Sequence, residues 1–263
     1  MDIIDSIKCR MKDCKRNNFL DLDFSNLELF TFPILPSKYK SKIESLYLSE
    51  NNLSTLPDLS DYISLKILDI SHNKIDSLDK LPSTLIEISC RSNRLKTIIN
   101  CQHQCQNLER LDCSSNNISE IPKCQKLKHL DCSDNIVNSI PILLNLEKLI
   151  CENNHITVIE SCPNLKYLNC SFNKLSKLAD YDRLIDLLCN NNMLSSLHSY
   201  KNIKYLEICN NKINIVPYMI NLNELLCDKN STKNLSRKYI DCNKIDAKVM
   251  KNNIVHLLFT KKT

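Results

Sequence analysis

Glycine is absent from the 263-residue chain, although an average protein contains roughly 7% of it. Its absence excludes the glycine-rich loop that cradles phosphates and the dinucleotide-binding fingerprint. Tight turns must be built by another residue, and asparagine is the natural substitute because it tolerates a left-handed backbone and bonds its own main chain. Alanine is also scarce, whereas asparagine, isoleucine and lysine are abundant, a bias that indicates an A+T-rich genome.

Long apolar segments are lacking too. The sequence has no run of about 18 apolar residues, so it predicts no membrane-spanning helix. Residues 1–18 lack the continuous apolar region of a secretory signal. Fifteen cysteines in a chain without an export signal favour a reducing compartment, in which thiols stay free. We therefore expect a cytoplasmic protein with reduced cysteines.

Catalytic patterns are missing as well. The six histidines form no recognisable Ser-His-Asp or Cys-His arrangement, so the sequence predicts neither enzymatic activity nor a bound cofactor. The net charge of +5 is concentrated in residues 229–263, which carry nine Lys or Arg against two Asp. Because the rest of the chain is slightly acidic, a nucleic-acid groove along it is not expected.

The sequence repeats itself with a short period. The pattern LxxLxLxxNxLxx[LIV] occurs ten times, at spacings of 22, 20 and 23 residues and then six times of 19. A degenerate unit begins near Phe19 and has Leu27 where the asparagine should be. One unit cannot bury its own apolar face, so the units are expected to stack, each adding a short strand to a parallel sheet. The asparagine, which should satisfy main-chain groups at the bend after the strand, is Asn51, Asn73, Asn93, Asn116, Asn135, Asn154, Asn173, Asn192, Asn211 and Asn230.

These residues resemble the leucine-rich repeat family over about residues 19–230. The 19-residue period, with proline after the unit in NNLSTLP and NNISEIP, is similar to the short-repeat class found in effectors of pathogenic bacteria and in proteins of giant amoeba-infecting DNA viruses. The resemblance implies an α/β fold, a right-handed leucine-rich-repeat solenoid with a parallel β-sheet on the concave face, a mostly irregular convex side and short helical caps. The compositional bias favours the viral or intracellular-parasite kind.

Both ends of such a solenoid need a cover for the apolar core. Residues 1–18 are the predicted N-terminal cap, a short amphipathic helix, and residues 19–230 are the repeats. Residues 231–263 are the predicted C-terminal cap, which is basic and helical. The helical face of the first cap has Ile3, Ile7, Met11 and Cys14, and that of the second has Ile240, Ile245, Val249, Ile254 and Leu257, with Ser236 as N-cap.

Cysteine recurs at the third apolar position of the repeat. Three units have Leu48, Ile70 and Ile208 there, so sulfur is interchangeable with an aliphatic group. Free cysteine packs as a small buried hydrophobe, and a linear ladder lacks the four converging ligands that zinc needs. Core packing is therefore predicted, with metal binding or redox chemistry as the alternatives. The seven ladder cysteines are Cys90, Cys113, Cys132, Cys151, Cys170, Cys189 and Cys227.

A second apolar column, three residues before each unit, should lie in the core of the convex side. It contains Cys105, Cys124, Leu143, Cys162, Tyr181, Tyr200 and Met219. One irregular loop, NCQHQCQN, combines Cys101, His103 and Cys105. It is interpreted as a surface loop, with a metal or thiol site as the alternative.

Residues on either side of the buried strand centre should form the concave face, the usual binding surface of a solenoid. Its C-terminal part is apolar and aromatic, as interface anchors are, although much of any protein surface is apolar. The predicted patch consists of Ile150, Tyr167, Phe172, Leu188, Tyr205 and Leu226. Around Asp112 and Asp131, beside His129, the face is acidic. Two interpretations stay open: the carboxylates attract a basic segment of a partner, or they are solvated side chains at the edge of a strand.

These observations predict a monomeric, non-enzymatic scaffold that binds a protein partner through the concave face, without nucleic acid, membrane or cofactor. The expected location is the cytoplasm, that of the host if the protein is viral. Two alternatives stay open. One is a targeting subunit for a ligase or phosphatase, and the other is a metal or thiol site at Cys101, His103 and Cys105.

Overall fold

The computed structural model describes residues 2–98, 106–228, 243–249 and 254–261. The chain divides into two compact units, residues 1–136 and 137–263. The first unit contains the helices α1 (Ile3–Arg16) and α2 (Ser37–Lys40) and the strands β1 (Asp21–Asp23), β2 (Ser45–Tyr47), β3 (Ile67–Asp69), β4 (Glu87–Ser89), β5 (Arg110–Asp112) and β6 (His129–Asp131). The second contains β7 (Ser139–Ile140), β8 (Lys148–Ile150), β9 (Val158–Ile159), β10 (Tyr167–Asn169), β11 (Asp186–Leu188), β12 (Tyr205–Glu207), β13 (Glu224–Asp228), β14 (Asn243–Val249) and β15 (Ile254–Lys261).

Each repeat contributes one short strand to a parallel sheet. In the first unit β1 to β6 pair in chain order, and in the second β8, β10, β11, β12 and β13 do the same. The central residue of each strand lies opposite the central residue of the next, as Leu111 does with Leu130 and Leu168 with Leu187. These leucines are buried. A single repeat cannot cover its own apolar face, so the neighbouring repeats cover it. The predicted parallel-sheet solenoid is thus confirmed, and β7 and β9 add a small parallel pair on the return side of the second unit.

The repeat asparagine stabilises the bend after the strand. In Asn73, Nδ2 donates to the carbonyl oxygens of Leu48, Ile70 and Ser71 at 2.9, 3.1 and 3.2 Å. Its Oδ1 accepts the backbone N–H of Leu53 at 2.9 Å. One carboxamide therefore satisfies main-chain groups of two successive repeats, as predicted. The same arrangement recurs at Asn51, Asn93, Asn116, Asn135, Asn173, Asn192 and Asn211, whereas Asn230 lies outside the described residues.

The turn uses left-handed backbone without glycine. The residue immediately before each described repeat asparagine has a φ between 53° and 56°, the region that L-residues enter at a cost of roughly 1–2 kcal/mol. Asparagine was the expected residue for this conformation, but it occupies only some of these positions, and His72 and Phe172 adopt it elsewhere. The conformation persists because the N–H of such a residue donates to the next repeat: that of His72 to the Arg91 carbonyl oxygen at 2.8 Å, and that of Asn210 to the Asp228 carboxylate at 2.8 Å.

All seven ladder cysteines are buried, which confirms their assignment to the core. Their thiols also donate weakly to the main chain of the next repeat: Sγ of Cys90 lies 3.4 Å from the Asp112 carbonyl oxygen, and Sγ of Cys113 lies 3.4 Å from that of Asp131. Burial raises the pKa of Cys90, Cys113, Cys132, Cys170 and Cys189 above the usual range of a thiol, and it raises the pKa of Cys227 to about 12. The ladder is therefore a column of neutral thiols packed as hydrophobic groups.

The convex column is buried as well. Leu143, Cys162 and Met219 are almost fully covered, and Tyr181 stacks on Tyr200 with ring centroids 6.5 Å apart. Cys124 of this column is disulfide-bonded, so the expectation of reduced cysteines is wrong at this position, whereas eleven other cysteines of the described residues are free. Cys105, of the same column, lies outside the described residues.

The N-terminal segment forms a helix where a short amphipathic helix was predicted. In α1 the side chain of Cys14 is buried against the first repeat. Arg10 pairs with Asp23 of β1 at 2.9 Å, and the Tyr39 hydroxyl donates to the Met11 carbonyl oxygen at 3.0 Å. These contacts place α1 over the end of the sheet at β1.

In the described residues 243–249 and 254–261 the predicted C-terminal helix is wrong, because both segments are strands. Residues 243–249 and 254–261 form β14 and β15, which pair antiparallel with each other, and β15 also pairs antiparallel with β13. Val255, Leu257 and Phe259 are buried, so the period is two, as in a strand, rather than 3.6. Of the residues assigned to the helix, Ser236 and Ile240 lie outside the described residues.

Within the described residues, neither helix has the length and apolar character needed to cross a bilayer.

Candidate functional site

The open face of the second unit consists of the side chains on either side of each buried strand centre, on the face predicted to be concave. The register of the strands arranges these side chains in two rows. The first row is Lys148, Tyr167, Asp186, Tyr205 and Glu224, and the second is Ile150, Asn169, Leu188, Glu207 and Leu226. Most of these side chains are half-buried, so they form the floor of this surface.

The predicted apolar patch lies on this face, but within each row its residues alternate with polar ones. Tyr167 and Tyr205 are separated by Asp186, and Leu188 and Leu226 are separated by Glu207. Phe172 belongs to the left-handed turn after β10, where its side chain is 57% exposed. The structure therefore shows apolar and acidic side chains alternating, an arrangement hidden when only the apolar residues are selected from the sequence.

A hydrogen-bonded network fixes the centre of the face. The Tyr205 hydroxyl and Nδ2 of Asn190 both donate to the carboxylate of Glu207. Oδ1 of Asn190 in turn accepts the backbone N–H of Cys209 at 2.8 Å. Burial, followed by the hydrogen bond to Glu207, raises the pKa of Tyr205. The hydroxyl therefore stays protonated and keeps its ring in one orientation.

Strand β15 adds to the same face, which was not predicted from the sequence. Nε2 of His256 lies 2.6 Å from Oε1 of Glu224, and Leu258, opposite Glu224 in the register, is 43% exposed. Both side chains alternate with the buried Val255, Leu257 and Phe259. An alternating pattern in IVHLLF was the available signal, and it was missed because a helix was assigned.

The first unit carries the predicted acidic residues. Oδ1 of Asp112 accepts from the backbone N–H and the hydroxyl of Ser114 at 3.0 and 2.6 Å, and Asp131 does the same with Ser133 at 3.0 and 2.7 Å. Burial, with a smaller contribution from Asp112, raises the pKa of Asp131. These carboxylates thus cap the turn that follows each strand, a structural role that the hypothesis of a basic partner did not include.

His129 is also held by neighbours on the face of the first unit. Its Nδ1 lies 3.4 Å from Nε of Arg110, which also pairs with Glu87 at 3.4 Å. The three side chains follow one row across β4, β5 and β6. His129 therefore belongs to a polar row of this sheet.

The loop with Cys101, His103 and Cys105 lies outside the described residues. Among the residues that are described, no group of three or more His, Cys, Asp or Glu is placed to hold a metal ion.

A stacked parallel strand per repeat, a buried leucine at its centre and an asparagine closing its bend define the class of fold: the chain forms a leucine-rich-repeat solenoid. Residues 41–83, 106–145 and 144–183 match the family model described as leucine rich repeats in two copies.

Known proteins of several kinds share this architecture. The chain is 37% identical over 81 residues, 30% of its length, to a protein of Arabidopsis thaliana named as a protein phosphatase 1 regulatory inhibitor subunit PPP1R7 homolog, and it spans only 24% of that relative. Among solved structures, the leucine-rich effector YopM of Yersinia pestis has a TM-score of 0.71 at 24% identity over 86% of this chain and 70% of its own. The functional domain of InlJ from Listeria monocytogenes, which includes a cysteine ladder, has a TM-score of 0.62 at 23% identity over 80% of this chain and 54% of its own. At these identities the two structures show the fold alone.

Proposed function

We propose that the protein is a non-enzymatic scaffold that binds a protein partner through the open face of the second unit. The observation that supports this is the set of half-exposed Tyr167, Leu188, Tyr205 and Leu226 on one sheet face. The proposed setting is a host cell, with the protein acting in its cytoplasm as a monomeric effector of a pathogen or virus, and without nucleic acid as partner.

The physical basis is the rigidity of this surface. The strands that carry the two tyrosines are fixed by the sheet, and Tyr205 is further held by Glu207. Tyrosine combines a large apolar area with few rotatable bonds, so little conformational entropy is lost when it is covered by a partner. A pre-organised face of this kind favours binding over catalysis.

Affinity capture with quantitative mass spectrometry tests this proposal. We expect a partner recovered by the natural chain to be lost with the double substitution Tyr167→Ala and Tyr205→Ala. Tyr47→Ala is the matched control, because Tyr47 is a half-buried tyrosine on β2 in the first unit, and it should leave recovery unchanged. If the double variant recovers every partner at natural levels, the open face of the second unit is not the binding surface.

A second candidate function is a targeting subunit for a phosphatase. It is favoured by the 37% identity over 81 residues to a protein named as a phosphatase 1 regulatory subunit homolog. Purified catalytic subunit of protein phosphatase 1 tests it directly: binding to this chain, with a change in the rate of dephosphorylation, would support the role. No binding at micromolar concentration of both proteins would remove this candidate and leave the scaffold proposal untouched.

A further inference from the structure

The open face of the second unit is acidic as well as aromatic. Five carboxylates lie along its strands or just after them, against the single lysine Lys148 in the two rows. Within the described part of the chain none of the five is ion-paired with a lysine or arginine. The carboxylates are Glu152, Asp186, Glu207, Glu224 and Asp228.

The donors that hold these carboxylates are mostly neutral. Glu152 accepts from Nδ2 of Asn169 at 2.7 Å, and Asp228 accepts from the backbone N–H of Asn210 at 2.8 Å. Glu207 accepts from a tyrosine hydroxyl and an asparagine amide. Neutral donors orient a carboxylate but do not cancel its charge, so the field of the face stays negative.

Asp186 has a special position within this field, because it lies between the two tyrosines. It is opposite Tyr167 on one side and Tyr205 on the other. Neighbouring strands are about 4.8 Å apart, so the tyrosine-bearing strands are separated by roughly twice that distance. A cation held above Asp186 would therefore be within the roughly 6 Å at which an aromatic ring attracts it.

The charges around Asp186 are incompletely balanced. Burial raises the pKa of its carboxyl, and the charge of Lys204 lowers it by a smaller amount. Glu207 adds negative charge on the neighbouring strand β12, and Glu224 adds it on β13, where Nε2 of His256 lies 2.6 Å from its carboxylate. The ring of Tyr167 already attracts one cation, since Nζ of Lys148 lies 5.3 Å from its centroid.

We propose that Asp186, flanked by Tyr167 and Tyr205, binds an arginine or lysine side chain of an extended basic segment in the partner protein. The inference rests on the proposed function and names the chemistry of its partner. Asp186 supplies the charge, the two rings supply cation–π contacts, and Leu188 and Leu226 of the second row cover apolar side chains on one side of the cation. An acidic segment would be repelled by the five carboxylates, which carry the same charge. A purely apolar segment would remove water from these carboxylates without supplying a hydrogen bond or an opposite charge in its place.

Selection from a peptide-display library against the full chain tests this proposal. We expect the natural chain to enrich peptides with arginine or lysine beside an apolar residue. Asp186→Asn, which keeps the shape and removes the charge, should lose the basic preference. Asp182→Asn is the matched control, because Asp182 is an exposed carboxylate in the preceding turn of the same unit and the net charge changes equally.

The outcomes separate the two proposals. Peptides enriched without basic residues, still dependent on Tyr167 and Tyr205, would overturn the cation site and keep the scaffold function. Enrichment of no sequence at all, or of sequences insensitive to both tyrosines, would count against the open face as a binding surface. A basic preference that survives Asp186→Asn would also overturn the assignment to Asp186.

A synthetic copy of the strongest selected peptide gives the quantitative test. By fluorescence anisotropy we expect Asp186→Asn, or replacement of the peptide's arginine by neutral citrulline, to weaken binding at least tenfold. The two changes together should weaken binding little more than either alone, because both remove the same contact. Affinity should also fall as salt is raised from 50 to 300 mM, through screening of exposed charges; an affinity that is independent of salt and of citrulline would refute the charge contact.

Discussion

Single side chains determine where each repeat turns. The repeat asparagine uses both ends of its carboxamide, donating to carbonyl oxygens of its own and the preceding repeat and accepting a backbone N–H. A buried main-chain group without a partner costs roughly 1–3 kcal/mol, and one asparagine satisfies several of them. This explains why asparagine fills the position in the described repeats after the degenerate first one, which has Leu27, even though the left-handed residue beside it varies.

The first prediction concerns Asn135, which donates to the carbonyl oxygens of Cys113, Cys132 and Ser133 and accepts from the N–H of Ile118. Asn135→Ala should lower the free energy of unfolding by about 3 kcal/mol, because buried main-chain groups lose their partners. Asn117→Ala, at an exposed position of the preceding turn, should change it by less than about 0.5 kcal/mol. Urea denaturation followed by circular dichroism measures both, and equal effects of the two substitutions would contradict the capping role.

The stacked tyrosines of the second unit provide the second prediction. The Tyr200 hydroxyl donates to the Ala179 carbonyl oxygen at 3.2 Å, whereas the Tyr181 hydroxyl is buried without a hydrogen-bond partner among the described residues. Tyr181→Phe should therefore leave stability unchanged or raise it by about 1 kcal/mol, while Tyr200→Phe should lower it by about 1 kcal/mol. Thermal unfolding of the two single variants is the measurement, and a larger loss for Tyr181→Phe than for Tyr200→Phe would show that its hydroxyl is satisfied.

At the scale of elements, the sequence predicts the repeats well and the C-terminal end poorly. Apolar residues and asparagine recur at fixed positions within ten units, with cysteine at one of these positions in seven of them. Stacking of the units converts these positions directly into strand register. In residues 243–261 the apolar positions are compatible with period two or 3.6, and a short segment does not distinguish them. Residues 254–261 form a strand rather than a helix because β15 pairs with β13. A helix would leave the backbone N–H and C=O groups at the edge of β13 without this partner.

The third prediction distinguishes these two structures for β15. Leu257 is buried and Leu258 is 43% exposed, as adjacent residues of a strand must be on opposite faces. Leu257→Lys should therefore destabilise the second unit by more than about 3 kcal/mol, whereas Leu258→Lys, opposite Glu224, should be tolerated. Chemical denaturation compares the two variants, and similar losses at both positions would argue against the strand.

At the scale of the whole molecule, the sequence predicts which face carries the residues of the proposed interface, but not how its charged and apolar residues are arranged. Tyr167, Leu188 and Tyr205 were recognised because the repeat assigns each a place beside a buried strand centre. The repeat also places Asp186 between the two tyrosines, but it was not predicted as a site residue, because its relevance depends on the other carboxylates of the face. The contribution of His256 depends on an antiparallel strand that no repeat predicts.

Burial of so many neutral thiols also makes the stability of the whole chain depend on pH. Burial raises the pKa of the ladder cysteines Cys90, Cys113 and Cys132, and an unfolded thiol titrates near 8.5. When folding raises the pKa of a group, the contribution of that group to the free energy of unfolding is greatest at a pH below its pKa in the unfolded chain. Above about pH 8.5 the unfolded chain releases protons that the folded chain retains, so stability falls until the folded thiols also ionise.

The fourth prediction follows for alkaline solution. Each buried ladder thiol should lower the free energy of unfolding by about 2 kcal/mol between pH 7.5 and pH 10, since one pH unit above the unfolded pKa corresponds to about 1.4 kcal/mol. Replacing Cys90, Cys113 and Cys132 by valine, as the aliphatic Ile70 replaces cysteine in a sister repeat, should remove about 6 kcal/mol of this loss. Cys9→Val is the control, because Cys9 is exposed and should leave the pH dependence unchanged. Urea unfolding at the two pH values under a reducing agent gives the comparison, and the same alkaline loss in the triple variant and the natural chain would show that the ladder thiols do not govern it.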